Sequence, residues 1–267
     1  MDSSHPVKVM PRGVTNAYIF QIFNSSSWSL ILGTPMLLFL KGLGAPASVL
    51  GAALAMTPLF AALQIPAASF VEKIGNKNFV VRGWAARSIF ILGIAIVALL
   101  PDRVSPHLRI ALTLLMLALF AAARGISVCG LMPWITQIIP SSLRGAFIAR
   151  DTTCMYIALT GTMLLSSWFV GAFPSIRAFG LLFIFSYLSA LASVVFLRRI
   201  PDIPAAESRT SQPPPPWKQM LFFPPFFRFV LFTVVYSFFT SALGVIWVPF
   251  MKDGLHLSES LILGISS

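Results

Sequence analysis

The sequence predicts an all-α polytopic membrane protein, and three observations support this prediction. Hydrophobic residues make up 57% of the 267 residues, charged residues make up 10%, and the mean hydropathy is +0.86. Soluble domains carry roughly 25% charged residues, so a soluble chain of this composition would lack polar surface. The apolar residues also fall in long runs, and most basic residues lie in the short segments between those runs.

Seven apolar runs are long enough to cross a bilayer as helices, which takes about 20 residues each. Their approximate ranges are 14–40, 46–70, 79–100, 108–139, 146–173, 176–197 and 226–251. An eighth apolar run starts near Ser258 and reaches Ser267, which is too short for a spanning helix. We therefore expect a six-helix bundle and one or two helices of a second bundle, as in a truncated chain.

The distribution of Lys and Arg predicts the orientation, because cytoplasmic loops carry an excess of basic residues. With the N-terminus inside, 13 of the 19 basic residues fall in inside segments and 5 fall outside, while Arg124 lies within a span. Arg87 is counted here among the inside residues. We therefore expect an integral protein of the plasma (inner) membrane, with its N-terminus and central linker in the cytoplasm.

Composition divides the chain into three parts. Residues 1–199 form the predicted six-helix bundle, residues 200–225 form a cytoplasmic linker, and residues 226–267 begin a second bundle. The linker contains a proline run, Pro213 to Pro216, which favours an extended and stiff conformation. Trp217 begins a short segment that is typical of a membrane interface.

A short internal repeat supports this division. Pro35 in the first span is followed further on by Phe39-Leu40-Lys41-Gly42-Leu43, and Pro249 in the seventh span is followed directly by Phe250-Met251-Lys252-Asp253-Gly254-Leu255. The repeat falls where a second six-helix half would begin, and parallel six-helix repeats build one large class of transporters.

Nothing in the sequence predicts an enzyme, a cofactor or a metal site. GxSxG, HExxH, Walker A and GxGxxG motifs are absent, and the three histidines (His5, His107 and His256) lack the spacing of metal ligands. Cys129 and Cys154 lie in apolar runs and are expected to be reduced, buried thiols. The net charge of +11 fits topology signals better than nucleic-acid binding, because basic residues flank the spans.

Three cytoplasmic segments carry a family resemblance. The segment between the second and third spans reads Ala-Ser-Phe-Val-Glu-Lys-Ile-Gly-Asn-Lys over residues 68–77. It resembles the Gly-x-x-x-Asp-x-x-Gly-Arg-(Arg/Lys) motif of the major facilitator superfamily, with Ala68 and Asn76 as departures. Residues 140–145, Pro-Ser-Ser-Leu-Arg-Gly, resemble the Pro-x-x-x-Arg-Gly signature before the fifth span, and Phe-Arg-Phe at 227–229 resembles the start of the seventh.

The resemblance implies two six-helix bundles that rock about a central cavity. In relatives the loop motif acts as a latch between the two halves on the cytoplasmic side. Carried over, this role would fall to a cytoplasmic gating motif that comprises Glu72, Gly75, Lys77, Arg144, Gly145 and Asp151. The alternative is that Glu72 is an ordinary loop carboxylate, Arg144 a topology charge and Asp151 a structural group. Gly75 also has a local reason, because a tight turn between helices often requires a positive φ.

Arg124 is the most informative single residue, since it lies near the middle of the fourth predicted span. A central arginine costs roughly 2.5–3.5 kcal/mol on insertion scales, so such a residue normally faces a cavity or a partner. We expect Arg124 to face the central cavity and to bind an anionic group or a coupling carboxylate. The alternative is a structural ion pair or a side chain that reaches the interface.

Other polar residues within the spans are candidates for lining the cavity. Gln21, Asn24 and Trp28 share one face of the first span by their helical spacing. Tyr156 on the fifth span and the pair Tyr236 and Thr240 on the seventh are further candidates. Each of these residues can instead hydrogen-bond a neighbouring helix, as small polar groups often do in membranes.

The function that fits best is secondary active transport of a small solute by alternating access, driven by proton coupling or by exchange. Its expected partners are the small solute and the lipid bilayer. The alternative is a receptor-like or regulatory seven-helix protein without transport activity. A further expectation is that the chain is an incomplete fragment of a twelve-helix transporter.

Overall fold

The described part of the chain is helical, with turns between the helices. The computed structural model describes residues 10–11, 13–101, 103–202 and 223–266. Its helices are α1 (Thr15–Leu32), α2 (Thr34–Gly42), α3 (Ala47–Ala61), α4 (Gln64–Ile74), α5 (Asn76–Ala98), α6 (Pro106–Val128), α7 (Leu131–Ile138), α8 (Arg144–Ala172), α9 (Ile176–Arg199), α10 (Pro224–Pro249) and α11 (Glu259–Ile265). This architecture confirms the all-α polytopic prediction. The predicted linker lies mostly outside the described residues.

Serine residues begin several of these helices. The Ser105 hydroxyl accepts a hydrogen bond from the Leu108 amide at 3.4 Å, and Pro106 stands in the first turn of α6. Ser175 accepts from the Arg177 amide at the start of α9, and Ser258 accepts from the Leu261 amide at the start of α11. A side-chain oxygen at this position satisfies an amide that has no partner within the helix, so these residues fix where the helices start.

Four helical segments, one of which comprises α6 and α7 together, are long and apolar enough to cross a membrane. They are Asn76–Ala98, Pro106–Ile138, Ser141–Ala172 and Ile176–Arg199, and they match four of the seven predicted spans. A fifth span is counted if α3 and α4 are taken together, since these two helices are bent by 41° relative to each other. Both counts, four spans or five, refer to the described residues alone.

The first predicted span differs from the prediction because it is broken. Helix α1 ends at Leu32, Gly33 is extended with φ of −102° and ψ of −166°, and Pro35 lies in the first turn of α2. Proline suits a helix start because its missing amide hydrogen would have no partner there. Helix α1 also carries four buried serines, Ser25, Ser26, Ser27 and Ser29.

Helix α9 packs between α1 and α5. Helix α1 also contacts α8, α5 also contacts α6, and α3 packs against α6. Between α1 and α9 the hydroxyls of Ser27 and Ser186 lie 3.1 Å apart, and Ser186 also donates to the carbonyl of Ser27 at 2.8 Å. Small hydroxyl residues allow helices to approach closely in a membrane and supply hydrogen bonds between them.

The last two helices pack on the first bundle at the end where α2 and α8 finish. Helix α11 packs against α8, and the Ser167 hydroxyl donates to the carbonyl of Ser260 at 2.7 Å. Helix α10 contacts α2 and α3, and beyond it the Asp253 carboxylate accepts from the Lys41 ammonium at 2.7 Å. These contacts tie the second part of the chain to the first.

Candidate functional site

A cavity of about 250 Å³ lies among helices of the first bundle. Its wall comes from α1, α2, α3 and α6 and comprises Trp28, Ile31, Leu32, Gly33, Met36, Leu37, Ala53, Leu54, Thr57, Leu117 and Arg124. The described part of the wall is mostly apolar, and Arg124 is the single charged residue among these lining residues. The break in the first span lies at this wall, because Gly33 and the start of α2 form part of it.

Arg124 therefore stands at the cavity, together with Trp28 from the polar face of α1. The guanidinium carbon of Arg124 lies 5.7 Å from the centre of the Trp28 ring. This distance is within the range of a cation–π contact, which stabilises a cation by about 0.5–2 kcal/mol. The contact is much weaker than an ion pair would be in an apolar setting, and no carboxylate among the described side chains pairs with Arg124.

A close approach between α3 and α6 fixes the position of Arg124. Its neighbour Gly125 is buried against the backbone of Phe60, where a Cβ atom would overlap the Phe60 carbonyl group. Because residue 125 carries no side chain, α6 can lie directly against α3. Arg124, next in sequence, is thereby held at the boundary between α6 and the helices that line the cavity.

Beside the cavity lies a buried polar cluster that comprises Asn24, Trp84 and Arg87. The Asn24 side-chain oxygen accepts a hydrogen bond from Trp84 Nε1 at 3.2 Å and another from Arg87 Nη2. The Arg87 guanidinium carbon also lies 4.4 Å from the Trp84 ring centre and 5.8 Å from that of Phe120. Arg87 is 1% exposed, and its Nε hydrogen has no acceptor among the described residues.

This cluster corrects one expectation. Arg87 was counted as a charge of the cytoplasmic side, but it lies buried in α5 and carries a positive charge close enough to interact with that of Arg124. Removing Arg87 from the count leaves the excess of inside charges intact. The sequence does contain a signal for its position, because Arg87 lies well inside the third apolar run and one helical turn after Trp84.

The other predicted cavity residues are dispersed. Gln21 is half-buried on α1, while Tyr156 on α8 is 60% exposed and Tyr236 on α10 is 61% exposed. The Tyr236 ring stacks on Phe232 with 6.1 Å between the ring centres. The side chain of Thr240 lies outside the described residues. The structure thus brings Arg124 and Trp28 together at the cavity and places Asn24 behind them, but it does not bring the tyrosines there.

Glu72, Gly75 and Lys77 of the predicted gating motif lie at the α4–α5 turn, while Arg144, Gly145 and Asp151 lie on α8. Gly75 has a φ of +86°, the left-handed conformation that glycine adopts without strain, and it joins α4 directly to α5. Asn76, which replaces the motif arginine, donates to the side-chain oxygen of Gln137 on α7 at 3.3 Å. Lys77 is half-buried, and the Glu72 side chain lies outside the described residues.

Arg144 caps the end of α7. Its Nε donates to the carbonyl of Ile139 at 3.1 Å, and its Nη2 donates to the carbonyl of Thr136 at 2.7 Å. The last carbonyls of a helix have no partner within the helix, and a cation there is also favoured by the helix dipole. Nearby, Gly145 is exposed and Asp151 is half-buried on α8.

Comparison with known proteins agrees with this architecture. The family model described as Major Facilitator Superfamily matches residues 17–267, which is nearly the whole chain. Among curated proteins, none matches the chain. The match covers the α4–α5 turn, the cavity helices and both parts of the chain on either side of the linker. The chain therefore belongs to the Major Facilitator Superfamily and is an integral membrane protein of a family of transporters.

Proposed function

We propose that this chain is a secondary active transporter of a small solute, and that the cavity lined by Arg124 and Trp28 is part of the solute pathway. The observation that carries the proposal is the position of Arg124. It is a charged side chain at the wall of an otherwise apolar cavity, and no described carboxylate neutralises it. A membrane protein retains such a costly residue where it serves a ligand or a pathway.

The broken first span supports the same assignment. Transporters commonly place interrupted helices at their binding sites, because the freed backbone groups then face the solute. Here the interruption at Gly33 lies at the wall of the cavity. The sequence contains no nucleotide-binding motif, so the driving force we propose is an ion gradient or the exchange of one solute for another.

The proposal includes alternating access, in which the two parts of the chain separate at one end and close at the other. The ion pair of Lys41 with Asp253 joins the two parts at the end of the molecule where α2 finishes. Both side chains are partly exposed, and ion pairs of this kind contribute about 0–1 kcal/mol. A contact this weak can open and close during a transport cycle.

We further propose that the N-terminus and the linker lie in the cytoplasm and that Lys41 and Asp253 lie outside. The bias of Lys and Arg supports this orientation. A tag at the N-terminus should be accessible to antibody only after cells are permeabilised. Accessibility in intact cells would contradict the orientation and would favour the receptor-like alternative, which nothing in the described residues supports.

Transport itself is tested by uptake into proteoliposomes that contain the full chain. A panel of labelled organic acids, amino acids, sugars and amines should reveal at least one solute that accumulates beyond protein-free liposomes. For that solute, Arg124→Gln should reduce uptake at least tenfold. The matched control is Arg82→Gln, which removes an exposed arginine from α5 and should leave uptake unchanged. Equal uptake by the Arg124→Gln and Arg82→Gln proteins would overturn the proposed role of the cavity.

A further inference from the structure

The described charged side chains at the cavity and behind it are both positive. Arg124 lies at its wall, Arg87 lies buried behind it, and these two positive charges are close enough to repel each other. No carboxylate among the described residues forms an ion pair with either guanidinium. A guanidinium keeps its proton in proteins, so neither residue can relieve this repulsion by becoming neutral.

Two helix ends meet at the wall and contribute opposite partial charges. Gly33 and Met36 at the start of α2 line the cavity, and so do Ile31 and Leu32 at the end of α1. A helix start carries about half a positive elementary charge and a helix end about half a negative one, so the two largely offset each other here. The described wall contains no acidic residue, so Arg124 sets the sign of the field in the cavity.

The other lining residues indicate the size and polarity of the rest of the solute. Ile31, Leu32, Met36, Leu54 and Leu117 supply apolar surface, Trp28 supplies an aromatic face, and Thr57 supplies one hydroxyl. The volume of about 250 Å³ is below the roughly 300–1,000 Å³ of sites for drug-sized ligands. A ligand that fits is therefore small and has a short apolar body.

We propose that the solute is a small organic anion, with its anionic group bound by Arg124 and its short hydrocarbon body packed against Trp28 and the apolar wall. This inference rests on the proposed function and names the substrate class of the same cavity. The planar guanidinium fork of Arg124 matches a carboxylate or a phosphate with two parallel hydrogen bonds. Arg87 contributes positive charge from behind the wall and remains enclosed by Asn24, Trp84 and Phe120.

Binding, measured separately from transport, tests this inference. The full chain is purified in detergent, and its tryptophan fluorescence is titrated with pentanoate, pentanamide, pentylammonium and pentyl phosphate. These probes contain the same number of carbon atoms in one unbranched chain and differ in the charged or neutral group at its end. We expect saturable binding of at least one of the two anions, and at least tenfold weaker binding of the amide and the amine. The signal should be lost in Trp28→Phe, since Trp28 lies at the cavity.

Variants then test whether Arg124 is the residue that binds the anionic group. Arg124→Gln should weaken anion binding at least tenfold, and Arg82→Gln should leave it unchanged. Tighter binding of pentanoate than of pentyl phosphate would support a carboxylate solute, and the reverse order would support a phosphate ester. Equal affinity for pentanoate and pentanamide, a preference for pentylammonium, or no binding of either anion to the folded chain would overturn the inference. These probe comparisons use the unaltered protein, so they hold even if a variant misfolds.

The outcomes separate the inference from the proposed function. Anion binding without uptake of any solute in proteoliposomes would support the substrate class and contradict transport by this chain. Uptake of a neutral or cationic solute without anion binding would support transport and contradict the substrate class.

Discussion

Asn24 satisfies two buried donors at once. Its oxygen accepts from Trp84 Nε1 and from Arg87 Nη2, and the side chain is 8% exposed. A buried donor that loses its acceptor costs about 1–3 kcal/mol, and more where the donor is charged. One amide on α1 therefore holds the cationic cluster of α5 in place behind the cavity.

Replacement of this amide should destabilise the protein strongly. Asn24→Ala leaves Trp84 and Arg87 without their acceptor, so we expect the free energy of unfolding to fall by about 2–6 kcal/mol, given roughly 1–3 kcal/mol for each of the two orphaned donors. The measurement is the apparent unfolding temperature in detergent. Asn78→Ala serves as control, because Asn78 is an exposed amide on α5. If the two variants melted at the same temperature, the cluster would have no structural role.

Arg144 shows how a motif residue can also have a local role. Its two hydrogen bonds to the end of α7 predict that Arg144→Ala lowers stability by about 1 kcal/mol, as expected for a cation at a helix C-terminus. Thermal unfolding checks this value against Arg103→Ala, which removes an exposed loop arginine. If Arg144→Ala unfolded at the same temperature as Arg103→Ala, the two hydrogen bonds would not stabilise the protein. Only the role in the gating motif that the family resemblance implies would then remain for Arg144.

At the scale of helices, two glycines, one on α6 and one on α8, have opposite surroundings. A Cβ atom at Gly125 would overlap the Phe60 carbonyl, whereas a Cβ atom at Gly161 on α8 would meet nothing within 4 Å. Both positions are helical, so alanine would improve helix propensity equally, by up to about 1 kcal/mol. Only the surroundings differ between the two.

These surroundings predict effects of opposite sign. Gly161→Ala should raise the apparent unfolding temperature, because it stiffens a helix without a clash. Gly125→Ala should lower it, since overpacking a tight contact costs about 1–3 kcal/mol. Gly125→Ala should also displace Arg124 and weaken anion binding. A rise in unfolding temperature for both variants would show that α3 and α6 do not approach as closely as described.

The sequence predicted the positions of the helices better than it predicted the breaks within them. Helices α5, α8 and α9 lie where their apolar runs predicted them, because the length of an apolar run reports directly on the thickness of the bilayer. The interruption at Gly33 was not predicted, although Pro35 stands close to it in the sequence. A proline is compatible with a kink, a helix start or a continuous helix, and tertiary packing decides among these.

The candidate site could be predicted only in part from the sequence. Arg124 stood out because a lone cation at the centre of an apolar run is costly. Arg87 was taken as a topology charge because it lies closer to the end of its run than Arg124 does, although its position within the run was a signal of burial. What the sequence does not show is its contact with Asn24. Such a contact joins residues far apart in sequence, so spacing along one helix cannot reveal it.

At the scale of the whole molecule, α10 and α11 close on the first bundle at one end. The contacts of Asp253 with Lys41 and of Ser260 with Ser167 join the two parts of the chain there. If the parts move relative to each other during transport, these contacts must separate. The cavity would then become open to the side on which they lie.

A cross-link tests this movement. In a background with Cys129→Ser and Cys154→Ser, the substitutions Lys41→Cys and Asp253→Cys are joined by a short bifunctional reagent. The linked protein should be closed at this end, so that a cysteine introduced at Thr57 reacts with a membrane-impermeant maleimide only from the opposite side. Unchanged labelling from both sides after cross-linking would contradict a gate at this contact.

The central claim is that the cavity lined by Arg124 lies on a pathway across the membrane. The most direct measurement is the labelling of Thr57→Cys, without the cross-link, in the full chain that lacks its two native cysteines. The chain is placed in oriented vesicles and treated with an impermeant maleimide from one side and then from the other. We predict reaction from both sides, slowed by the anion that binds. A cysteine that reacts from neither side, or from one side alone, would contradict the claim and leave the cavity a closed space or a one-sided pocket within the bundle.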